Sequence, residues 1–170
     1  MTSFPYTIPL ITTFLSWKHS HQMLQQLKDL IATSASLADS KGLFFSLFDK
    51  NGKLLDSQGT LTTDKTLEAL MELFYQGIIT KYEKTTSSVV IDIVETIQTM
   101  TNVSDFLALS PKIYGVVLTS TKTKKTGILL PNTAWITTMQ QALSAIKQKH
   151  KLSGEVLIEV FQTKRLVLKV

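Results

Sequence analysis

An Asn-Gly dipeptide lies between two apolar runs in the stretch LFFSLFDKNGKLLDSQGTL, which extends from Leu43 to Leu61. Asn and Gly adopt positive φ angles at low cost, so the pair favours a tight turn between two strands. The pattern predicts a β-hairpin with a strand over Leu43–Phe48, a type I′ turn within Lys50–Lys53 and a second strand from Leu54 onward. The second strand leads into the polar tetrapeptide DSQG, which is the first candidate for a functional site.

Three later segments have the composition of strands. SSVVIDIVETI is dominated by β-branched residues, and Val89, Ile91 and Ile93 alternate in it while Asp92 takes the opposite face. The segment YGVVLTSTKTKKTGILLP predicts a second hairpin, with the lysine-rich tip Thr121–Lys125 as its loop. EVLIEVFQTKRLVLKV then supplies one or two closing strands.

Three segments have the spacing of amphipathic helices. The first extends from about His21 to Leu37, with Ser20 available as an N-cap. The second, TLEALMELFYQGII, is expected to stop at Gly77. The third has a capping-box pattern, with Thr137 as N-cap and Gln140 at N3. Three helices and about six strands, joined largely as hairpins, predict the α+β class with a mostly antiparallel sheet.

The chain has the composition of one globular domain over residues 1–170, with 44% hydrophobic and 18% charged residues and neither a linker nor a repeat. Residues 1–18 are apolar but lack the cationic start and cleavage site of a signal peptide, so we expect this terminal segment to pack on the core. There is no cysteine, which excludes disulfides and thiolate chemistry and fits a reducing cytoplasm, the expected location.

The net charge of +5 is carried almost entirely by lysine, since Arg165 is the only arginine. No Asp or Glu occurs between Phe106 and Gly154. Such a basic surface could attract phosphate backbones or acidic proteins, although base readout favours arginine and stacking favours interleaved aromatics. An ordinary solvated lysine face is the alternative. The lysines of this surface are Lys112, Lys122, Lys124, Lys125, Lys147, Lys149 and Lys151.

Few side chains form a pattern that is typical of a metal, nucleotide or catalytic site. His19 and His21 are an H-x-H pair, but His150 is distant and no carboxylate cluster completes a set of ligands, so we predict no metal. No Gly-rich loop precedes a helix, and we therefore predict no nucleotide or other cofactor. Ser57 could be a nucleophile with Asp56 or a distant His as base, although the strand-to-helix elbow that exposes an activated serine is missing.

The order of these segments resembles that of the AMMECR-type domain family. GLFFSLFDKNGKLLDSQGTL is similar to the family's signature hairpin, in which a strand like Val-Phe-Val-Thr-Leu leads through a Gly turn into Leu-Arg-Gly-Cys-Ile-Gly. GVVLTSTKTKKTGILLPNTAW resembles the second hairpin of the family, which ends in Leu-Leu-Pro-Gln-Val-Ala. The likeness covers about Gly42 to Val167, is most specific over Leu129 to Ala134, and implies an AMMECR-like α+β fold.

The chain departs from the family pattern at the family's suspected active cleft. The Arg-Gly-Cys element corresponds to Asp56, Ser57 and their neighbours, and of its characteristic positions only Gly59 is kept. The change removes a thiolate and a planar anion clamp. The resemblance therefore implies a diverged member whose cleft, expected between neighbouring hairpins at Gly59, Pro131 and Asn132, carries neither a thiol nor a guanidinium. Asn132 takes the family's Gln position.

Three functions remain open. The first, which we favour, is a non-catalytic binding or adaptor protein that recognises a protein partner or a small ligand through the degenerate cleft. The second is an enzyme of unknown reaction with Asp56 and Ser57 as weak catalytic candidates. The resemblance implies radical S-adenosylmethionine and Memo-type proteins as its partners, because the family is commonly encoded beside them. The third is a nucleic-acid accessory protein that uses the lysine surface. The sequence indicates neither a specific ligand nor an oligomeric state.

Overall fold

The computed structural model describes residues 22–170, which form a six-stranded sheet with helices. The strands are β1 (Leu43–Phe48), β2 (Leu54–Thr60), β3 (Ser88–Met100), β4 (Tyr114–Ser120), β5 (Thr126–Leu129) and β6 (Val156–Lys169). The helices are α1 (22–32), α2 (Leu67–Phe74), α3 (Thr80–Tyr82), α4 (Val103–Ala108) and α5 (Met139–His150), and the π-helical segment Tyr75–Ile79 joins α2 to α3. The predictions for Ser20 and for segment 1–18 concern residues outside the described range.

The strands are hydrogen-bonded in the order β2-β1-β3-β6-β4-β5. The pairs β1/β2, β4/β5 and β4/β6 are all antiparallel, and the predicted α+β fold with a mostly antiparallel sheet is confirmed. The expectation that the two hairpins are neighbours is wrong for the strand pairing. The reason is that β3 and β6, the two longest strands with 13 and 14 residues, come between β1 and β4 in the sheet.

The chain forms two compact units. The described part of unit 1 comprises residues 22–91 and Leu166–Val170, and unit 2 comprises Asp92–Arg165. Each therefore contains one complete hairpin, β1/β2 in unit 1 and β4/β5 in unit 2, together with part of β3 and of β6.

The first hairpin forms as predicted, but its turn is not of type I′. Gly52 has a φ of 75°, whereas Asn51 has no positive φ, and a type I′ turn needs a positive φ at both positions. The carboxylate of Asp49 accepts hydrogen bonds from the amides of Asn51 and Lys53 at 2.8 and 2.9 Å. These bonds stabilise a loop over residues 49–53 in which Asn51 does not take the left-handed conformation. The connection is therefore longer than a two-residue turn.

The helices of unit 1 differ from the prediction at their ends. Helix α1 stops at residue 32 rather than Leu37, because the hydroxyl groups of Thr33 and Ser36 bond to the local backbone and compete with helical hydrogen bonding. Gly77 does not end the second helix, since the chain continues through it as π-helix. Burial of the apolar side chains in this segment outweighs the cost of about 1 kcal/mol for glycine in a helix. The buried side chains of the segment are Tyr75, Ile78 and Ile79.

The core of unit 2 lies between helices α4 and α5 and strands β4 and β6. Helix α4 was not predicted, because only six residues are helical; Asn102 caps it by accepting a hydrogen bond from the Ser104 amide at 2.8 Å. Helix α5 does have a capping box, but one residue later than predicted, with Thr138 as N-cap and Gln141 at N3. Thr137 and Thr138 are both suitable N-cap residues. With the cap at Thr138, the first residue of the helix is Met139, which is fully buried. The buried core residues are Phe106, Val116, Leu118, Met139, Ala142, Ile146, Leu152 and Val160.

Candidate functional site

A polar pocket of about 240 Å³ lies within unit 2, between β3, β6, the turn before β4 and the residues that follow β5. Such a volume accepts a small metabolite rather than a drug-sized molecule. Two of the lining residues, Pro131 and Asn132, are ones that the sequence assigned to a ligand-binding cleft. The complete lining is Glu95, Lys112, Ile113, Pro131, Asn132, Gln162, Thr163 and Arg165.

Asp92 and Arg165 form the electrostatic centre behind the pocket. The Asp92 side chain is 1% exposed, and the Arg165 side chain is 33% exposed. Arg165 binds the carboxylate with two parallel hydrogen bonds of 2.9 Å, from Nε to Oδ1 and from Nη2 to Oδ2. The Thr163 hydroxyl donates a third bond to Oδ1 at 2.9 Å. This bidentate geometry fixes the plane of the guanidinium, because both of its partner atoms belong to one rigid carboxylate.

The guanidinium also ties β6 to the residues after β5. Its Nη2 donates a hydrogen bond to the carbonyl oxygen of Pro131 at 2.9 Å. Within residues 22–170 no hydrogen bond is found from Nη1, so the two remaining donors are available to a ligand. The expectation that the cleft carries no guanidinium is therefore wrong for this pocket. The guanidinium belongs to Arg165 on β6, whereas the Arg-Gly-Cys element of the family corresponds to residues on β2.

Asn132 is held at the pocket by its backbone. Its φ is 55°, a left-handed conformation that Asn tolerates better than most residues, and its amide donates a hydrogen bond to the carbonyl of Pro111 at 2.8 Å. Pro131, directly before it, is buried, whereas Asn132 is exposed. The turn thus presents an amide group, with one acceptor and two donors, to the pocket.

Two opposite charges on the pocket wall do not neutralise each other. Lys112 and Glu95 are both exposed, and neither forms an ion pair with any residue in the described part of the chain. Gln162 accepts a hydrogen bond from the hydroxyl of Thr96 at 3.2 Å, and in the described part of the chain its side-chain N–H donors have no hydrogen-bond partner. The pocket therefore offers a guanidinium, an ammonium, amides and a carboxylate to one ligand.

The residues of the DSQG tetrapeptide lie in unit 1, on β2. The Oγ atoms of Ser57 and Ser46 are 3.0 Å apart, and the Asp56 carboxylate accepts a hydrogen bond from the Ser57 amide at 2.8 Å. Neither contact activates the Ser57 hydroxyl, since a general base would have to accept its proton. Catalysis by Asp56 and Ser57 remains a prediction.

Gly59 has a structural explanation. It pairs with Phe44 across the β1/β2 ladder, and a Cβ at this position would overlap the Phe44 ring and lie 2.7 Å from the carbonyl oxygen of Leu43. Packing alone therefore requires glycine here. A role of Gly59 in ligand binding remains a prediction.

The predicted lysine surface lies in unit 2, at the β4/β5 tip, near the end of α5 and in the turn before β4. Of its seven lysines, six are exposed and Lys147 is half-buried.

The ring of His150 packs against Gly127, which explains this histidine structurally, while His19 and His21 lie outside the described residues. Residues 22–170 contain no group of three His, Asp or Glu side chains that could hold a metal ion. Over the same range no helix is long and apolar enough to cross a membrane.

The sequence analysis did not identify Asp92, Thr163 and Arg165 as site residues, although a signal for them was present. An acid within an otherwise apolar strand needs a partner, because a buried unpaired carboxylate is very costly. Thr163 and Arg165 are two positions apart on one strand and so share a face. The only arginine of the chain was thus the natural partner of Asp92.

Comparison with known proteins agrees with this architecture. Among solved structures, the uncharacterised protein PH0010 from Pyrococcus horikoshii has a TM-score of 0.67 and 12% sequence identity, with 88% of this chain and 89% of that chain covered. At that identity the likeness shows the fold alone. A search of the curated proteins gives no match. The model of the AMMECR1 family matches residues 12–166, and the chain therefore belongs to the AMMECR1 family.

Proposed function

We propose that this protein is a non-catalytic, cytoplasmic binding or adaptor domain that takes a small polar ligand in the pocket beside Asn132. The observation that carries the proposal is the state of Arg165. Its guanidinium is fixed by Asp92 and by the Pro131 carbonyl, and no bond from Nη1 is found in the described part of the chain. A guanidinium that is held in one orientation and has two N–H donors left at Nη1 supports recognition of a ligand, because little side-chain entropy remains to be lost on binding.

The charges on the wall suggest the chemistry of the ligand. Lys112 and Arg165 are cationic, and Glu95 is anionic. Asp92, behind the wall, already compensates the charge of Arg165, so the pocket has no large net charge. A ligand that carries both a carboxylate and a hydrogen-bond donor satisfies more of these groups than a simple anion does. We therefore expect a small zwitterionic or amide-bearing metabolite.

The other contacts of the pocket support binding rather than turnover. Asn132 and Gln162 are amides that donate and accept hydrogen bonds without exchanging protons. The chain has no cysteine, and the Ser57 hydroxyl, which belongs to unit 1, is within hydrogen-bond distance of Ser46. The proposal thus requires the bound ligand to leave the protein chemically unchanged.

The test is capture of small molecules from an extract of the cells that make the protein, followed by mass spectrometry. The informative variant is Asn132→Gly, which removes the amide at a φ of 55° that glycine adopts without strain. Lys124→Gly is the matched control, since Lys124 has a φ of 58° and does not line the pocket. We expect a metabolite that is retained by the wild type and by the control, is reduced at least fivefold on Asn132→Gly, and is recovered unaltered.

Three results would contradict the proposal. They are retention of the same molecules by all three proteins, recovery of no molecule above background, and conversion of the captured molecule during incubation. The last result would favour the enzyme hypothesis, and Ser57→Ala would then show whether the DSQG tetrapeptide takes part in that reaction.

A further inference from the structure

A second and larger depression in unit 2 is independent of the pocket beside Asn132. It is a groove of about 450 Å³ between α4, α5 and the start of β6. Phe106 and Leu143 line it and also pack in the core of the unit, so the groove has a rigid base. The walls are mainly apolar, formed by Val103, Leu107, Val156, Leu157 and Ile158.

Several of these apolar side chains are in contact with solvent. Val103 is 62% exposed, Leu107 42% and Leu157 44%. Single exposed apolar residues are common, but a contiguous group that lines a groove is typical of an interaction site. Burying such side chains in a complex stabilises it, because apolar surface is removed from water.

The lining of the groove carries one lysine and one acid, and the adjoining β4/β5 tip adds positive charge. Lys147 lines the groove directly, and Thr121, at the start of the β4/β5 tip, also lines it. The amide and hydroxyl of Thr121 each donate to the Glu155 carbonyl at 3.2 Å, which fixes the base of the tip against the start of β6. The tip carries three further exposed lysines, and Glu155 is the one acidic residue in the lining. The three lysines are Lys122, Lys124 and Lys125.

We propose that this groove docks an acidic, amphipathic segment of a partner protein, with apolar side chains against Leu107 and Leu157 and carboxylates against the lysines. Charge complementarity argues for an acidic occupant, because no ion pair to Lys122, Lys124, Lys125 or Lys147 is found within residues 22–170. The apolar walls argue for a peptide rather than a nucleic acid. A phosphate backbone has no group to bury there, and nucleic-acid sites favour arginine and stacking aromatics.

The experiment is a selection from a random 12-residue peptide library displayed on phage, with the immobilised full chain as target. We expect the enriched peptides to combine Leu, Ile or Phe with several Asp or Glu residues. Synthetic copies of these peptides are then measured by fluorescence anisotropy against the wild type and three variants. Leu107→Glu is expected to weaken binding at least tenfold, because it places a carboxylate on the wall of the groove. Lys124→Gly is expected to weaken binding twofold to fivefold at low salt only.

The control is Ile113→Glu, which introduces the same charge at an exposed apolar residue that lines the other pocket. It is expected to leave peptide affinity unchanged. Three results would overturn the proposal: no enrichment, enriched peptides without acidic residues, or equal loss on Ile113→Glu and Leu107→Glu. Displacement of the peptides by duplex DNA at equal concentration of charges, in 0.15 M salt, would assign the surface to nucleic acid instead.

Discussion

The main ionic contacts of the two units differ in burial: Lys28 pairs with two glutamates in unit 1, and Arg165 pairs with Asp92 in unit 2. In unit 1, Lys28 donates to Glu72 at 2.7 Å and to Glu68 at 2.9 Å, and both glutamates are about half exposed. In unit 2, Arg165 makes one bidentate pair with Asp92, whose side chain is almost fully buried. Unit 1 thus has more ionic partners, whereas unit 2 has the acid that water does not reach.

The comparison indicates that burial, rather than the number of pairs, decides how much a charge cluster matters. Exposed pairs gain little because water competes for both partners, and their measured contribution is about 0.2–1 kcal/mol. A buried carboxylate has no such alternative and depends on its hydrogen-bonding partners. We therefore expect unit 2 to respond far more strongly to the loss of one charge.

The largest effect is expected for Arg165→Met, which keeps an apolar stem but leaves the Asp92 carboxylate buried without its cation. The free energy of unfolding should fall by about 3–5 kcal/mol. Asp92→Asn should cost less, about 1–3 kcal/mol, because the guanidinium it leaves behind is one-third exposed and can turn to water. Urea unfolding followed by circular dichroism measures both.

Lys164→Met is the matched control for Arg165→Met, since Lys164 is the exposed neighbour on β6 and its side chain lies on the other face of the strand. It should change stability by less than about 0.5 kcal/mol. Equal losses for Arg165→Met and Lys164→Met would show that the buried pair has no special weight.

The sequence predicted those parts of the fold that depend on local patterns. The β1/β2 hairpin and the β4/β5 hairpin follow from turn residues and alternation, and both lie where they were predicted, although the turn of the first is not of the predicted type. The prediction was wrong where a neighbouring side chain offers the backbone an alternative hydrogen bond or where two adjacent residues can both cap a helix. The Asp49 carboxylate changed the turn at Asn51, and packing moved the α5 cap from Thr137 to Thr138.

The pocket was only partly predictable, for a physical reason. Pro131 and Asn132 are adjacent in sequence and form a recognisable turn. Asp92 and Arg165, in contrast, are 73 residues apart and meet only because their two strands come together in the fold. Strand order depends on the packing of the whole sheet, and no local pattern encodes it.

The second prediction tests whether the hydrogen-bond network of Asp92 matters beyond its ion pair. Thr163→Val keeps the shape of the side chain but removes the hydroxyl that donates to Oδ1 at 2.9 Å. We expect a loss of about 1–2 kcal/mol, since a bond to a charged, buried acceptor is stronger than an ordinary one. Thr119→Val is the control, because within residues 22–170 the hydroxyl of Thr119 is hydrogen-bonded to that of Thr126, at an exposed position and with no charged partner. If Thr163→Val is as stable as the control variant, the Thr163 hydroxyl does not contribute, and the Asp92 carboxylate is stabilised by the Arg165 guanidinium alone.

The smallest effect is expected in unit 1 and carries a pH signature. The hydrogen bonds that Lys28 donates to the carboxylate of Glu72, and secondarily to that of Glu68, raise the pKa of Lys28 above its usual value of 10.5. A raised pKa in the folded state means that the stabilisation is complete below pH 10.5 and is lost as the pH rises through the higher folded-state value. Because solvent screens the half-exposed glutamates, Lys28→Met should cost only about 0.5–1 kcal/mol at pH 7.

The measurement is urea unfolding of the wild type, Lys28→Met and the control Lys65→Met between pH 7 and pH 11.5. The difference between wild type and Lys28→Met should be constant up to about pH 10 and then shrink, since only the wild type loses a charge interaction there. Lys65 forms no ion pair within residues 22–170, and its variant should follow the wild type at every pH. If Lys28→Met instead costs as much as Arg165→Met, the number of ionic partners outweighs burial, and the contrast between the two units is wrong.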